Sequence, residues 1–287
     1  MRSVLFVPGD SPRKFAKALT TGADALVLDL EDSVALGRKE GARETVREML
    51  GGDRAGKSLL VRVNAFDTGM TLGDLAAVMP ARPDAIMLPK CRGGADVTLL
   101  GHYLAAFEAA SGLEEGATKI LPVATETAES VQGLTTYTPA HPRLLGLLWG
   151  AEDLMSSLGA TANKEEGAYT GPFVMARNMC LFAAASAGVT AFDTVCTVIG
   201  DLDYVAAESR AARRDGFGAK VVIHPSHVDA VNAAFTPTED EVAWARSVVS
   251  AFEDNPEAGV VSIDGAMIDK PHERAARKIL ASVPAGA

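Results

Sequence analysis

Eight short apolar runs recur along this chain, and the intervals between them each leave room for one helix. They fall at 4–7, 25–28, 59–63, 85–88, 120–123, 144–149, 191–195 and 221–223. Each run is continuous rather than alternating, the pattern of a parallel strand buried on both faces. Helix-compatible stretches lie between them at 12–20, 38–49, 71–79, 97–110, 127–134, 173–187 and 201–215, with a last one near 227–234. Eight successive βα units predict an α/β fold, a TIM (β/α)8 barrel over residues 1–235. An open doubly wound sheet is the other fold that such alternation allows.

The remaining residues, 236–287, have no place in a minimal barrel. Thr238 is placed to cap a helix and Glu241 stands three residues later, a capping-box pattern for a helix to about 252. D-N-P-E-A-G breaks that helix, V-V-S-I-D-G reads as a strand, and K-P-H-E-R-A-A-R-K-I-L-A reads as a terminal helix. The extension is expected to be a C-terminal helical lid or an arm packing on a neighbouring subunit.

Composition narrows the class. The chain has 287 residues, 48% of them hydrophobic and 22% charged, enough apolar mass for one large core. No apolar run approaches the roughly 20 residues of a membrane span, and the N-terminal run is too short for a signal peptide. The three cysteines, Cys91, Cys180 and Cys196, are odd in number and lack metal spacing, which points to reduced thiols in a cytoplasmic protein. A net charge of −10 argues against nucleic acid as the main partner, while leaving room for a small anion met by a few placed Arg and Lys residues.

In such a barrel, function sits on the loops that follow the strands. Polar groups follow each predicted strand: P-G-D-S-P-R-K, D-L-E-D, R-V-N, P-K, T-E-T, G-A-E-D, Asp193 and H-P-S-H. Glu126 and Asp153 end neighbouring strands five and six. Two carboxylates with no His or Cys beside them suit Mg²⁺, which keeps waters and shares its shell with substrate. The competing reading is that each acid caps the helix that follows it. Arg62 lies within a buried strand, where a charge needs a partner, and the acids of D-L-E-D are the candidates. It is then either a structural ion pair or an arginine held rigidly to meet a carboxylate or enolate oxygen. Glu31 and Asp32 are expected to orient Arg62 and to accept from metal-bound waters. Arg13 and Lys14, near the first helix start, are candidates for phosphate contact or plain surface charge, and His224 is expected to be a hydrogen-bonded structural histidine.

Read together, R-S-V-L-F-V-P-G-D, V-L-D-L-E-D-S-V, L-V-R-V-N, I-M-L-P-K, T-E-T, W-G-A-E-D-L, D-G-F-G-A-K-V-V-I-H-P-S-H-V and I-D-G-A-M-I-D-K-P-H resemble the citrate lyase beta-subunit-like branch of the HpcH/HpaI aldolase family. The resemblance covers essentially the whole chain. It implies a TIM barrel with Mg²⁺ on Glu126 and Asp153 and an active-site arginine at Arg62. It also implies binding contacts around Gly150, Ala151 and Glu152, and a homotrimer or hexamer in which the C-terminal segment closes over a neighbour's site. Asp269 would then act as acid/base near the thioester. Two positions differ from the family pattern: Ala266 stands where D-G-K-M has Lys, and G-F-G-A-K replaces G-F-x-G-K.

The implied activity is Mg²⁺-dependent retro-Claisen cleavage of a 3-hydroxyacyl-CoA of the malyl-, citramalyl- or citryl-CoA type. The products would be acetyl-CoA or propionyl-CoA and a 2-oxo acid such as glyoxylate, pyruvate or oxaloacetate. Malate synthase or malyl-CoA thioesterase chemistry at the same site is one alternative, and a citryl-acyl-carrier-protein lyase subunit of a citrate lyase complex is another. An aldolase of the pyruvate class acting without CoA is a further one, though it would not need the tail.

Overall fold

A computed structural model describes residues 1–283 of the chain. Its backbone contacts divide the chain into Met1–Asn232 and Ala233–Ala287. The first unit holds eight parallel strands: β1 Ser3–Pro8, β2 Ala25–Asp29, β3 Ser58–Arg62, β4 Ala85–Leu88, β5 Lys119–Pro122, β6 Gly146–Leu148, β7 Thr190–Asp193 and β8 Ala219–Val222. Pairing runs β5-β4-β3-β2-β1-β8-β7-β6. Parallel bridges Ile120↔Leu144 and Val123↔Leu148 close the ring between β5 and β6. This is the TIM barrel, and the open sheet is excluded by the closure.

The continuous apolar runs follow from this arrangement. Within β2, Ala25 and Val27 point into the barrel core with Val4, Leu60, Met87, Leu121 and Phe192. Leu26 and Leu28, on the other face, are equally buried. A strand covered on both sides has no solvent position at which a polar residue is favoured. Each expected helix is present within a few residues, including Lys39–Gly51, Gly94–Ala110, Gly171–Ala187 and Leu202–Asp215. The segment after β6 carries two elements that the apolar pattern does not announce, the helix Glu152–Leu158 and a short antiparallel pair, Lys164–Glu165 with Ala168–Tyr169.

Away from the strand ends where function is expected, Arg143 and Glu108 form a buried bidentate pair, with both N–O distances 2.7 Å. Glu108 also accepts from the Thr118 and Gly116 amides at 2.9 Å. Burial pushes the Glu108 carboxyl up, but these partners outweigh it and hold it below the ordinary range. A depressed carboxyl stabilises the fold above its unfolded value and loses that contribution as pH falls through the folded one. Glu108→Gln should therefore cost about 3–5 kcal/mol at pH 7, by leaving a buried guanidinium without its counter-charge. The gap to wild type in thermal melts should narrow below about pH 4. A constant gap from pH 7 to 3 would remove this pair from the acid sensitivity.

The second unit is built as expected at its ends. Glu239–Glu253 begins with a complete capping box, Thr238 and Glu241 each bonding the other's backbone. Lys270–Ala281 is the terminal helix. Between them the single expected strand proves to be a hairpin, Val260–Ile263 against Ala266–Asp269. Asp264 and Gly265 turn it with φ of 50° and 79°, the left-handed pair that a two-residue hairpin turn requires. Val248, Phe252, Ile268 and Ala276 form this unit's own core.

Candidate active site

The acid-rich end of β2 is organised around Asp29. Its carboxylate takes Arg62 in a fork, Nε to Oδ1 and Nη2 to Oδ2, both at 2.7 Å. It also accepts from the amides of Glu31 at 2.9 Å and Ser33 at 3.1 Å. Burial pushes the Asp29 carboxyl up, yet the Arg62 fork and these amides bring it below its ordinary value. For Arg62, burial works against the charge and the acids prevail, so the guanidinium is held above its ordinary value. The acid that fixes Arg62 is thus chiefly Asp29, rather than the expected pair of Glu31 and Asp32. Glu31 does reach Arg62 Nη1, at 2.9 Å. Asp32 points outward, its side chain 61% exposed.

Lys90, at the turn after β4, ties the cluster together. Its Nζ lies 2.5 Å from Glu31 Oε1, 3.9 Å from Asp153 Oδ1 and 4.0 Å from Asp32 Oδ2. Its backbone N–H donates to Glu126 Oε2 at 2.5 Å. Lys90 adopts φ of 51°, a left-handed conformation that costs a lysine on the order of 1 kcal/mol and that occurs at the turn from which this N–H is donated. Burial lowers the affinity of Lys90 for its proton, but Glu31, Asp32 and Asp153 outweigh it and raise its pKa to about 12.

Glu126 does not cap the helix that follows it. Thr127 does, accepting from the Ser130 amide. Nor does Asp153 supply a side-chain cap to Glu152–Leu158, whose cap residue is Ala151. Gly150 N–H donates to Thr125 Oγ1 at 2.9 Å, joining the two strand ends that carry these acids. A Cβ at Gly150 would stand 2.9 Å from Glu126 Cγ, so this close approach requires glycine. Burial pushes the Glu126 carboxyl up to about 8; the Lys90 amide opposes it, and Asp153 and Glu31 add to it.

The strand ends open on a cavity of about 480 Å³, walled by Phe6, Asp29, Arg62, Glu126, Trp149 and Asp153, among others. Gly150, Ala151, Glu152, Lys14 and Lys17 also line it, whereas Arg13 is exposed and does not. His224 lines it too, its Nδ1 2.6 Å from Ser226 Oγ, as expected of a hydrogen-bonded histidine. Glu31 and Lys90 adjoin wall residues, Glu31 at 2.9 Å from Arg62 and Lys90 at 3.9 Å from Asp153. Asp269 belongs to the second unit, at the cap of the terminal helix with His272 Nδ1 2.5 Å away. That contact holds its carboxyl below the ordinary range.

The residues fit a small hard cation. Glu126 and Asp153, carboxylates from adjacent strand ends, each raise the energy of a negative charge on the other, and a divalent cation would relieve that repulsion. No set of three or more His, Cys, Asp or Glu among the described residues is arranged to hold a metal ion. A cation here would therefore rely on two carboxylates and complete its shell with water and substrate, as Mg²⁺ does.

The family model for HpcH/HpaI aldolase/citrate lyase matches residues 2–225. The chain belongs to this family. It is 36% identical to the citrate lyase subunit beta of Escherichia coli strain K12, over 97% of this chain and 92% of that one. It is 34% identical to a (3S)-malyl-CoA thioesterase of Cereibacter sphaeroides, over 99% and 95%. Its structure superimposes with a TM-score of 0.75 on the CitE protein of Mycobacterium tuberculosis in complex with magnesium, acetoacetate and coenzyme A, at 32% identity over 98% and 97% of the chains. The chain is a lyase of a CoA-ester lyase family. Among the described residues, no helix is long and apolar enough to cross a membrane.

Asp29 is one of the D-L-E-D acids expected to pair with Arg62, and the structure makes it the chief of them. Lys90, at the end of I-M-L-P-K, escapes a reading of sequence alone. Placement at a strand end marks both, but no spacing says that Lys90 turns back to the acids of strands two, five and six.

Proposed function

We propose that this chain cleaves a 3-hydroxyacyl-CoA of the malyl-, citramalyl- or citryl-CoA type to acetyl-CoA or propionyl-CoA and a 2-oxo acid, with Mg²⁺ on Glu126 and Asp153. The observation that carries this reading is the meeting of those two acids beside the cavity, with neither bound to the helix it precedes or begins. The magnesium and coenzyme A of the related CitE complex support it. Bound Mg²⁺ supplies Lewis-acid stabilisation of the charge that builds on substrate oxygens.

The chain's own groups do the rest. Arg62, fixed by Asp29, presents donors to the reacting oxygens without reorganising during the reaction. The bond between the α-carbon of the thioester and the carbinol carbon breaks as the hydroxyl gives its proton to water and the 2-oxo acid forms. The electron pair remains as a thioester enolate, whose carbon takes a proton from Asp269. That aspartate comes from a neighbouring copy in a homotrimer or hexamer, where the C-terminal segment serves as lid. Its carboxyl is exposed and held low by His272 in its own unit, so this role needs the drier surroundings a neighbour would supply. Lys14 and Lys17 on the cavity wall are placed to meet an anionic part of the ligand.

Malyl-, citramalyl- and citryl-CoA offered to the purified protein test this reading. One of them should yield a 2-oxo acid, stop on EDTA and resume on excess Mg²⁺. Turnover indifferent to chelation, or no cleavage of any of the three, would overturn it. The similarity to a malyl-CoA thioesterase favours hydrolysis as a second reading, distinguished by release of free CoA thiol. The similarity to citrate lyase beta subunits favours action on a citryl-acyl carrier protein within a complex, distinguished by carrier and transferase subunits in a pull-down.

A further inference from the structure

The charges around Lys90 do not match one for one. Arg62 is shared between the two-point fork of Asp29 and one oxygen of Glu31, while Lys90 takes the other oxygen of Glu31 and faces Asp32 and Asp153 as well. Its ammonium stands among these acids, 2.5 Å from Glu31 and 3.9 Å from Asp153 on the cavity wall. Its backbone meanwhile fixes Glu126 from the left-handed turn. One residue thus binds the carboxylate of one proposed metal ligand through its amide and stands 3.9 Å from the other through its ammonium. We propose that the Lys90 ammonium is the resident counter-cation of the acid cluster and holds down its Mg²⁺ affinity, so that the metal loads together with an anionic substrate.

This rests on the reading that Glu126 and Asp153 hold Mg²⁺. A fixed positive charge beside a carboxylate repels an incoming divalent ion while neutralising the acids in its absence. Between a unit and a divalent charge, that repulsion is worth about tenfold in affinity even at water-like screening. A substrate carboxylate or 2-oxo acid arriving with the metal adds the negative charge that offsets it. Lys90 is in this sense a positioning residue: its amide holds Glu126, and its ammonium sets the charge against which the metal binds.

Calorimetric titration of MgCl₂ into the metal-free full-length protein tests this without any turnover. Lys90→Met keeps the backbone donor and removes the charge, so its Mg²⁺ Kd should fall about tenfold. Lys90→Arg should restore the wild-type value to within a few-fold. Pyruvate should tighten Mg²⁺ binding more in wild type than in Lys90→Met. An unchanged or weaker Mg²⁺ affinity in a folded Lys90→Met overturns the inference alone, whereas a failure of both proteins to bind Mg²⁺ even with pyruvate present removes the metal reading along with it. Should Lys90→Met fail to fold, wild-type crystals grown with EDTA and with Mg²⁺ decide. The Lys90 Nζ should retreat from Asp153 when the metal is present, and an unmoved ammonium overturns the proposal.

Discussion

Glu126→Gln should abolish Mg²⁺ binding and lower turnover by about a thousandfold or more, while leaving the barrel folded. The fold should survive because burial keeps the Glu126 carboxyl protonated up to about 8, and a neutral amide of the same shape mimics that state. The Lys90 N–H can still donate to the amide oxygen, so the turn after β4 keeps its anchor. What is lost is the ability of this group to give up its proton to a divalent ion beside Asp153, and an ion held by one carboxylate and water binds weakly. Glu31→Gln should behave differently. Glu31 is held by Lys90 and faces Arg62, so its change disturbs the surroundings of the ligands rather than the ligands themselves. Losses of about 10- to 100-fold in metal affinity are typical of such outer groups. Magnesium titrations of the two variants check the ranking, and the reverse order would move the metal from strands five and six to strand two.

The barrel was legible because its signal is coarse. A strand buried on both faces must be apolar throughout, and eight such runs at helix-length intervals leave few topologies. The 150–170 segment resisted for the opposite reason. Its short helix is held at an αL glycine, Gly159, and its short strand pair by a turn at Glu166 and Gly167, and neither buries enough side chain to set a period. The tail hairpin was half visible, since I-D-G carries its turn but A-M-I-D looks like a helix entry. At the site, strand-end placement pointed to Glu31, Arg62, Glu126 and Asp153, and the capping question about Glu126 was open until Thr127 took that bond. Which acid holds Arg62 was not readable, because Asp29, Glu31 and Asp32 are near-equivalent in sequence. The bend after Asp29 separates them, burying the first two and turning the third to solvent.

Substitutions at Arg62 should separate its two roles, structural and chemical. Arg62→Met leaves Asp29 buried, 1% exposed, with its amide donors but no counter-charge. Breaking a buried pair from one side costs about 3–5 kcal/mol, so this variant should melt well below wild type as well as lose activity. Arg62→Lys keeps a cation beside Asp29 and should recover much of that stability. It cannot keep the fork, because an ammonium lacks the planar pair of donors that meets Oδ1 and Oδ2 at 2.7 Å each while a third nitrogen faces Glu31. The remaining donor is then neither fixed nor correctly aimed at the reacting oxygens. Removal of one preorganised donor to a developing oxyanion lowers kcat by about 10²–10³, and Arg62→Lys should fall in that range with its Mg²⁺ affinity near wild type. Thermal melts and kcat of both variants, measured side by side, decide the matter. If Arg62→Lys regains full kcat along with its stability, the arginine serves the fold alone, and the oxyanion role belongs to another donor on the cavity wall.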